Sequence, residues 1–376
     1  MNNIELKRRN FILGTMTVFS LLASSLAPML IMIQNDYNIK PSVAGLLPLF
    51  NAFGGMVANF FGSMIIAQFG LLNSLYVSVF FGVTGSVLFF FSDNFILLMI
   101  SLFIIGMATG SSFMGMTSAF AHVDEKYQNY GFLHAFYGLG GILAPLFVTF
   151  FRDTSLGYKG AYIIYSAFLL IVFFFMFFTK IIENKIYEKI KIKEGFKIIF
   201  RNYIFVALII FMIYSGIENG IVTWGGNLFT ERLNYTGDFY AATLSKFWIV
   251  FTLGRVFSEL FLKFLGNKKM LYMLSFGAVI SLIALLEFEF PFLFIITGLF
   301  LSGFFPVLQK YINQKLSKRE VGLFSGILYF STNLGNMIIM YTMGLFGDIS
   351  FIYSYIMLII LFIFIIFMLR RLFRIL

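Results

Sequence analysis

The sequence predicts an all-α membrane protein whose helices cross the bilayer twelve times, in two pseudo-symmetric halves of six. Three observations lead there: the composition, the continuity of the apolar runs, and the positions of the basic residues between them. Of 376 residues, 60% are hydrophobic and only 12% are charged, against about 25% charged in soluble domains. A water-soluble fold has nowhere to put so much apolar surface, whereas a bilayer does. The runs are continuous rather than alternating, so they read as helices, which satisfy their own backbone groups where no water reaches. Each crossing takes roughly 20 residues, so twelve use about 240 and leave the rest for helix ends and short loops.

Six apolar blocks fall near residues 10–33, 42–67, 72–91, 95–121, 130–151 and 158–181. Six more fall near 202–229, 239–264, 269–287, 291–314, 321–346 and 350–370. The interval 182–200 between the groups is the most charged stretch and carries Lys185, Lys189, Lys191, Lys193 and Lys197. It reads as a basic cytoplasmic linker, with an amphipathic surface helix as one form open to it. The expected division is therefore an N-terminal bundle at 1–181, the linker at 182–200 and a C-terminal bundle at 201–376. Lys7, Arg8 and Arg9 precede a run longer than a signal-peptide core and without its small-residue cleavage site, so this run reads as a retained first helix.

The net charge of +10 is a topology signal rather than a nucleic-acid footprint, because the basic residues sit between apolar blocks. Of the 27 Lys and Arg residues, 21 fall on one side if both termini are cytoplasmic. Four (Lys40, Arg152, Lys159 and Arg232) fall on the other, and Lys246 and Arg255 lie within a block. Adding or removing one helix scrambles this segregation. A weak repeat at an offset of 195, Ser20 to Asp36 against Ser215 to Glu231, matches the distance between the two groups and suits a parallel half-repeat plan.

Ionisable groups in hydrocarbon are costly, and by default they mark function. Glu218 lies in the seventh block, roughly 16 Å below its outer end at 1.5 Å per residue, and Lys246 lies roughly 10 Å deep in the eighth. Glu218 reads either as a substrate or coupling group whose charge changes, or as half of a structural pair with Lys246. Lys246 alone can also snorkel to the interface. Gly216 and Gly220 flank Glu218, where they permit close helix packing or a close approach of solute to backbone. Arg255, Glu259 and Lys263 follow at spacings of four, on one helix face where an ion pair can form. Their place near the cytoplasmic end suits gating or anchoring.

Uncharged polar stripes recur in both halves. Asn51, Gly55 and Asn59 share a face of the second block. His134, Tyr137, Gly138 and Gly141 share one in the fifth, ahead of Pro145, and Tyr329, Thr332, Asn333 and Asn336 share one in the eleventh. Amides, hydroxyls and aromatic faces such as Asn219, Trp224 and Trp248 are what a cavity for a hydroxylated solute would use. Each stripe also reads as ordinary interhelical hydrogen bonding, worth about 0.6 kcal/mol on average. His134 is a packing residue or a proton carrier.

No enzyme constellation stands out, and no glycine-rich nucleotide loop is present to drive transport with ATP. Two histidines and no cysteine leave no metal site to read, and no cofactor is implied.

The segment Gly131–Pro145 (GFLHAFYGLGGILAP) resembles the fifth helix of the fucose/glucose permease-like branch of the major facilitator superfamily. Tyr214–Trp224 (YSGIENGIVTW) is similar to that branch's seventh helix. Thr252–Glu259 (TLGRVFSE), with Gly266 to Lys269 (GNKK) after it, resembles the superfamily's loop motif in the second half. The first-half counterpart, Gly62 to Leu72, lacks that motif's charged residues, and the acids that proton-coupled sugar permeases of this branch carry in helices one and four have no counterpart. The resemblance implies alternating access, with two six-helix halves rocking around a central site. It implies sugar transport more directly than proton coupling.

The expectation is a multi-pass, monomeric transporter of the inner (plasma) membrane, in contact with lipid and not with nucleic acid, both termini cytoplasmic. It moves a small polar organic solute such as a sugar, by symport with a proton or sodium ion or by facilitated diffusion. Glu218, Asn219, Trp224, Lys246, Asn51, His134, Tyr137, Tyr329 and Asn333 are the expected solute or coupling residues, and Arg255 and Glu259 the expected gate. Two alternatives stay open. A multidrug exporter would line its cavity with the many Phe and Met residues and bind lipophilic cations through Glu218. A transport-inactive receptor or scaffold would show no solute flux.

Overall fold

A computed structural model describes residues 2–128, 130–179, 181–182 and 199–376. Of the basic linker expected at 182–200, residues 183–198 lie outside that set. The described residues form helices and no strand. They are α1 (Asn2–Ser24), α2 (Leu26–Tyr37), the short α3 (Pro41–Ala44), α4 (Leu46–Phe69), α5 (Leu71–Phe90), α6 (Phe95–Phe120), α7 (Tyr130–Arg152) and α8 (Gly160–Thr179). Then come α9 (Asn202–Glu231), α10 (Gly237–Phe288), α11 (Phe292–Ser302), α12 (Phe304–Asn313), α13 (Lys318–Gly347) and α14 (Phe351–Ile375).

Among the described residues, 10 helical stretches are long and apolar enough to cross a membrane. Two details reconcile that number with twelve crossings. The first is α10, which has 52 residues and if straight would run about 78 Å, far past a hydrocarbon core of roughly 30 Å. It turns at Gly266, whose φ of 70° is open to glycine at no steric cost, and so contains the eighth and ninth spans. The second is α13, long enough at 30 residues but diluted in hydropathy by Ser331, Thr332, Asn333 and Asn336. Several helix starts are sealed by side chains that accept a free backbone N–H: Asn94 from Leu97 at 2.9 Å, Thr236 from Phe239 at 3.3 Å, and Ser317 in a capping box with Glu320. Large apolar side chains such as Phe150, Phe178, Phe264 and Phe367 are more than half exposed, as lipid-facing residues are and soluble surfaces rarely are.

The described chain forms two compact units, Met1–Leu26 with Phe50–Ile190, and Ala27–Leu49 with Lys191–Leu376. In the first, Thr17 donates to the Phe136 carbonyl at 3.0 Å and Ser20 to that of Tyr137, which joins α1 to α7. Ser78 and Ser111 pair at 2.7 Å between α5 and α6. Small residues and hydroxyls are what let helices approach and bond where lipid supplies no hydrophobic drive.

In the second unit α9 is the central post, buried along nearly its whole length. A Cβ on Gly216 would meet Ile339 at 2.5 Å and the Gly335 carbonyl at 2.7 Å, so α9 and α13 lie almost backbone to backbone. Trp224 closes that seam, and Tyr355 of α14 donates to the Ile221 carbonyl at 3.0 Å. Within the same unit, Gln34 of α2 and Asn227 of α9 exchange amide hydrogen bonds.

Candidate functional site

The site of interest is built on α9, α10 and α13, all in the second unit. Glu218 points from α9 and is 8% exposed. Its ionic partner is Arg255, with Nη2 3.5 Å from Oε1 and both side chains about nine-tenths buried (10% and 11% exposed). Two charges taken out of water cost several kcal/mol each unless they meet, so each holds the other in place. The guanidinium also stacks over the Phe251 ring, 4.3 Å from its centroid, and its Nε donates to the Ser302 carbonyl at 3.3 Å.

This decides two pairings that the sequence leaves open. Lys246 does not pair with Glu218. It is exposed, on the stripe of α10 that also shows Ile249, Leu253 and Phe257. Lys246 and Arg255 are nine residues apart, which is two and a half helical turns and therefore opposite faces. The face of the helix, not depth, sets the partner. Nor does Arg255 pair with Glu259, one turn along. Glu259 reaches Lys310 of α12 at 3.0 Å on the exposed surface, while Arg255 leans toward the N-terminus of its own helix, as helical side chains do, and that direction leads to Glu218.

Asn219 faces the other neighbour. It donates to the Asn336 amide oxygen at 3.3 Å and to the Ser215 carbonyl at 3.0 Å, while Ser215 donates to Asn336 at 2.9 Å. Adjacent residues on α9 thus serve two walls, Glu218 toward α10 and Asn219 toward α13. Asn219, Tyr329, Asn333 and Asn336 are half-buried, so this polar strip keeps surface that a solute can reach. Asn333 donates to the Tyr329 carbonyl at 3.0 Å, one turn back on the same helix.

Trp224, an expected solute contact, has no exposed surface. Its indole donates to the Met340 carbonyl at 2.8 Å and its ring lies 5.2 Å from that of Phe351. It is core. In the first unit, Asn51 donates to the Leu102 carbonyl at 3.1 Å, and a Cβ on Gly110 would sit 2.9 Å from Gly55 Cα, so that stripe is the packing face of α4 on α6. His134 and Tyr137 are half-buried, with the Tyr137 ring 5.2 Å from Phe113.

Two contributors were missed in the sequence. Tyr214, one turn before Glu218, donates to the Leu301 carbonyl at 2.5 Å. Pro306 is the other: where a helix runs on through a proline, the carbonyl four residues earlier loses its donor, here Ser302.

The chain is 21% identical over 311 residues to the "Protein TsgA homolog" of Buchnera aphidicola subsp. Acyrthosiphon pisum, covering 80% of this chain and 79% of that protein. It is 20% identical over 309 residues to the protein of that name from Buchnera aphidicola subsp. Schizaphis graminum, with the same coverage. Among solved structures it superposes on a point mutant of the nucleoside transporter NupG with a TM-score of 0.79 at 13% identity, over 98% of this chain and 100% of that one. The D-xylose-proton symporter gives a TM-score of 0.77, again at 13% identity, over 97% and 96%. These likenesses establish the fold, and the profile of the Major Facilitator Superfamily matches residues 12–296. This multi-pass membrane protein therefore belongs to the Major Facilitator Superfamily of transporters.

Proposed function

We propose that the protein carries a small, hydroxylated organic solute across the inner membrane by alternating access, with Glu218 as the ionisable group that couples solute movement to a cation, most simply a proton. The observation that carries this reading is the burial of the Glu218 carboxylate within a membrane span against a single arginine at 3.5 Å. A charge so placed is costly to keep and useful when it can be gained and lost. The half-buried strip of Asn219, Asn333, Asn336 and Tyr329 beside it supplies donors and acceptors for hydroxyls. D-xylose and nucleosides, named for the two superposed transporters, share a pentose ring, which makes that unit the first to try. The excess of basic residues on one set of loops favours both termini in the cytoplasm, and the protein acts as a monomer.

The test is uptake into proteoliposomes under an imposed pH gradient, with labelled D-xylose, uridine, an organic acid and tetraphenylphosphonium as separate probes. The expected result is accumulation of a hydroxylated probe, abolished in E218Q while exchange of that probe across the membrane persists. Accumulation at the wild-type level in E218Q removes the coupling role. Movement of tetraphenylphosphonium alone replaces the solute reading with a drug exporter, and no flux of any probe replaces it with a receptor.

A further inference from the structure

The tenth span, Phe292–Asn313, is kinked at Gly303, whose φ of -90° and ψ of -13° stay in the right-handed region. α11 ends at Ser302 and α12 begins at Phe304, with Gly303 between them. The cause is local: Pro306 has no N–H, so the Ser302 carbonyl loses the donor that a continuous helix would give it. Ser302 is only 2% exposed, so a donor for that carbonyl has to come from the protein. Arg255 supplies it, through Nε at 3.3 Å. The neighbouring Leu301 carbonyl accepts from the Tyr214 hydroxyl at 2.5 Å. α10 can come this close because residue 254 is glycine, where a Cβ would stand 2.8 Å from Ser302 Cβ.

We propose that Arg255 is the positioning residue that transmits the charge of Glu218 to the kink in the tenth span. While Glu218 is ionised it holds the guanidinium against the Ser302 carbonyl, and the end of α11 is clasped to α10. When Glu218 takes up one proton the guanidinium loses its counter-charge, the clasp opens, and α12 pivots about Gly303. The inference rests on Glu218 being the coupling group.

The groups that interact electrostatically with Glu218 are Arg255 and Tyr214. Other titratable residues on the packed elements are engaged or placed elsewhere. On α10, Tyr240 donates to the Val222 carbonyl, Lys246 faces away, and Glu259 pairs with Lys310 of α12. On α14, Tyr355 bonds to Ile221, with Tyr353 exposed. Tyr311 of α12 and Tyr329 and Tyr341 of α13 are the other tyrosines of α12 and α13, and α11 contains no titratable residue. Asp238, Lys263, Lys268, Lys269, Tyr272 and Glu287 of α10, Lys318, Arg319 and Glu320 of α13, and Arg370, Arg371 and Arg374 of α14 lie in the end turns of their helices or within about two turns of the Gly266 corner.

Because the chain has no cysteine, spin labels can be attached without first removing native thiols. Labels at Gln314, beyond the end of α12, and at Arg371 of α14, both exposed, report the swing of α12 within the second unit. Double electron–electron resonance at pH 8 and pH 5 should show the wild-type distance distribution shifting between the two. E218Q and E218Q/R255Q, which leave no lone buried acid, should both hold the pH 5 distribution throughout. P306A, which returns an N–H to the Ser302 carbonyl, should hold the pH 8 distribution. R255Q should match E218Q, with R255K restoring part of the shift. A wild-type shift in R255Q overturns the clasp and leaves Glu218 as the coupling group. A wild-type shift in E218Q overturns both, and the absence of any shift in the wild type overturns the clasp.

Discussion

Gln34 and Asn227 exchange two amide hydrogen bonds, Gln34 Nε2 to Asn227 Oδ1 at 3.1 Å and Asn227 Nδ2 to Gln34 Oε1 at 2.9 Å, and both residues are buried. The pairing is reciprocal, so neither amide can flip without losing both bonds. N227A leaves Gln34 with a stranded donor and acceptor, at a cost of about 1–3 kcal/mol. Thermal unfolding in detergent should show that loss. The double variant Q34L/N227L, which removes the stranded groups as well, should recover most of it. If N227A unfolds like the wild type, the amide exchange contributes nothing.

The roles of Arg255 and Lys246 separate under one substitution each. R255M strands a buried carboxylate, a change that typically costs about 3–5 kcal/mol. K246M removes an exposed charge from the opposite face of α10 and should stay within about 0.5 kcal/mol of the wild type. Comparing the two unfolding temperatures checks the assignment of the ion pair, and equal losses would reverse it.

The twelve crossings were legible because hydropathy and the distribution of basic residues act over whole blocks. Partner choice around Glu218 was not. Block boundaries put Lys246 nearer the outer end than Glu218 and Arg255 nearer the cytoplasmic end, so depth does not choose between them; which of them meets Glu218 depends on how α10 is rotated about its axis. Exposed Leu253 and Phe257 on the Lys246 side and Gly254 on the other carried that rotation in the sequence. Trp224 misled for a different reason: an aromatic with a polar tip serves a solute or a neighbouring backbone equally well, and only the position of the Met340 carbonyl distinguishes them. Ser302 and Pro306 were readable from helix geometry alone.

Trp224 supplies a direct check. W224F keeps most of the apolar volume but removes the indole donor from the Met340 carbonyl, which retains the Gly344 N–H of its own helix. The unfolding temperature should fall by the equivalent of about 0.5–1.5 kcal/mol, while the half-saturation concentration for a transported probe stays at the wild-type value. An increase of about tenfold or more in half-saturation, equivalent to roughly 1.4 kcal/mol, with no loss of stability would return Trp224 to the solute site.

At the start of α13, the Glu320 carboxyl is held down to about 2 from an ordinary 4.5, first by the Ser317 backbone N–H and then by Arg201. The ionised form is the one the folded protein favours, so its contribution is complete above pH 4.5 and fades as the pH falls toward 2. E320Q should therefore unfold at a lower temperature than the wild type at pH 7. The gap should narrow at pH 4 and again at pH 3. A gap independent of pH would mean that the side chain acts by shape rather than charge.

Gly266 turns α10 back on itself with one residue, so the eighth and ninth spans have no slack between them. If the proposed release of Arg255 displaces the eighth span, no flexible loop lies between it and the first turns of the ninth at Met270 and Leu271 to absorb the movement. A tag or protease site inserted between Leu265 and Asn267 would cut that linkage, so this corner is the wrong place to open the chain for labelling.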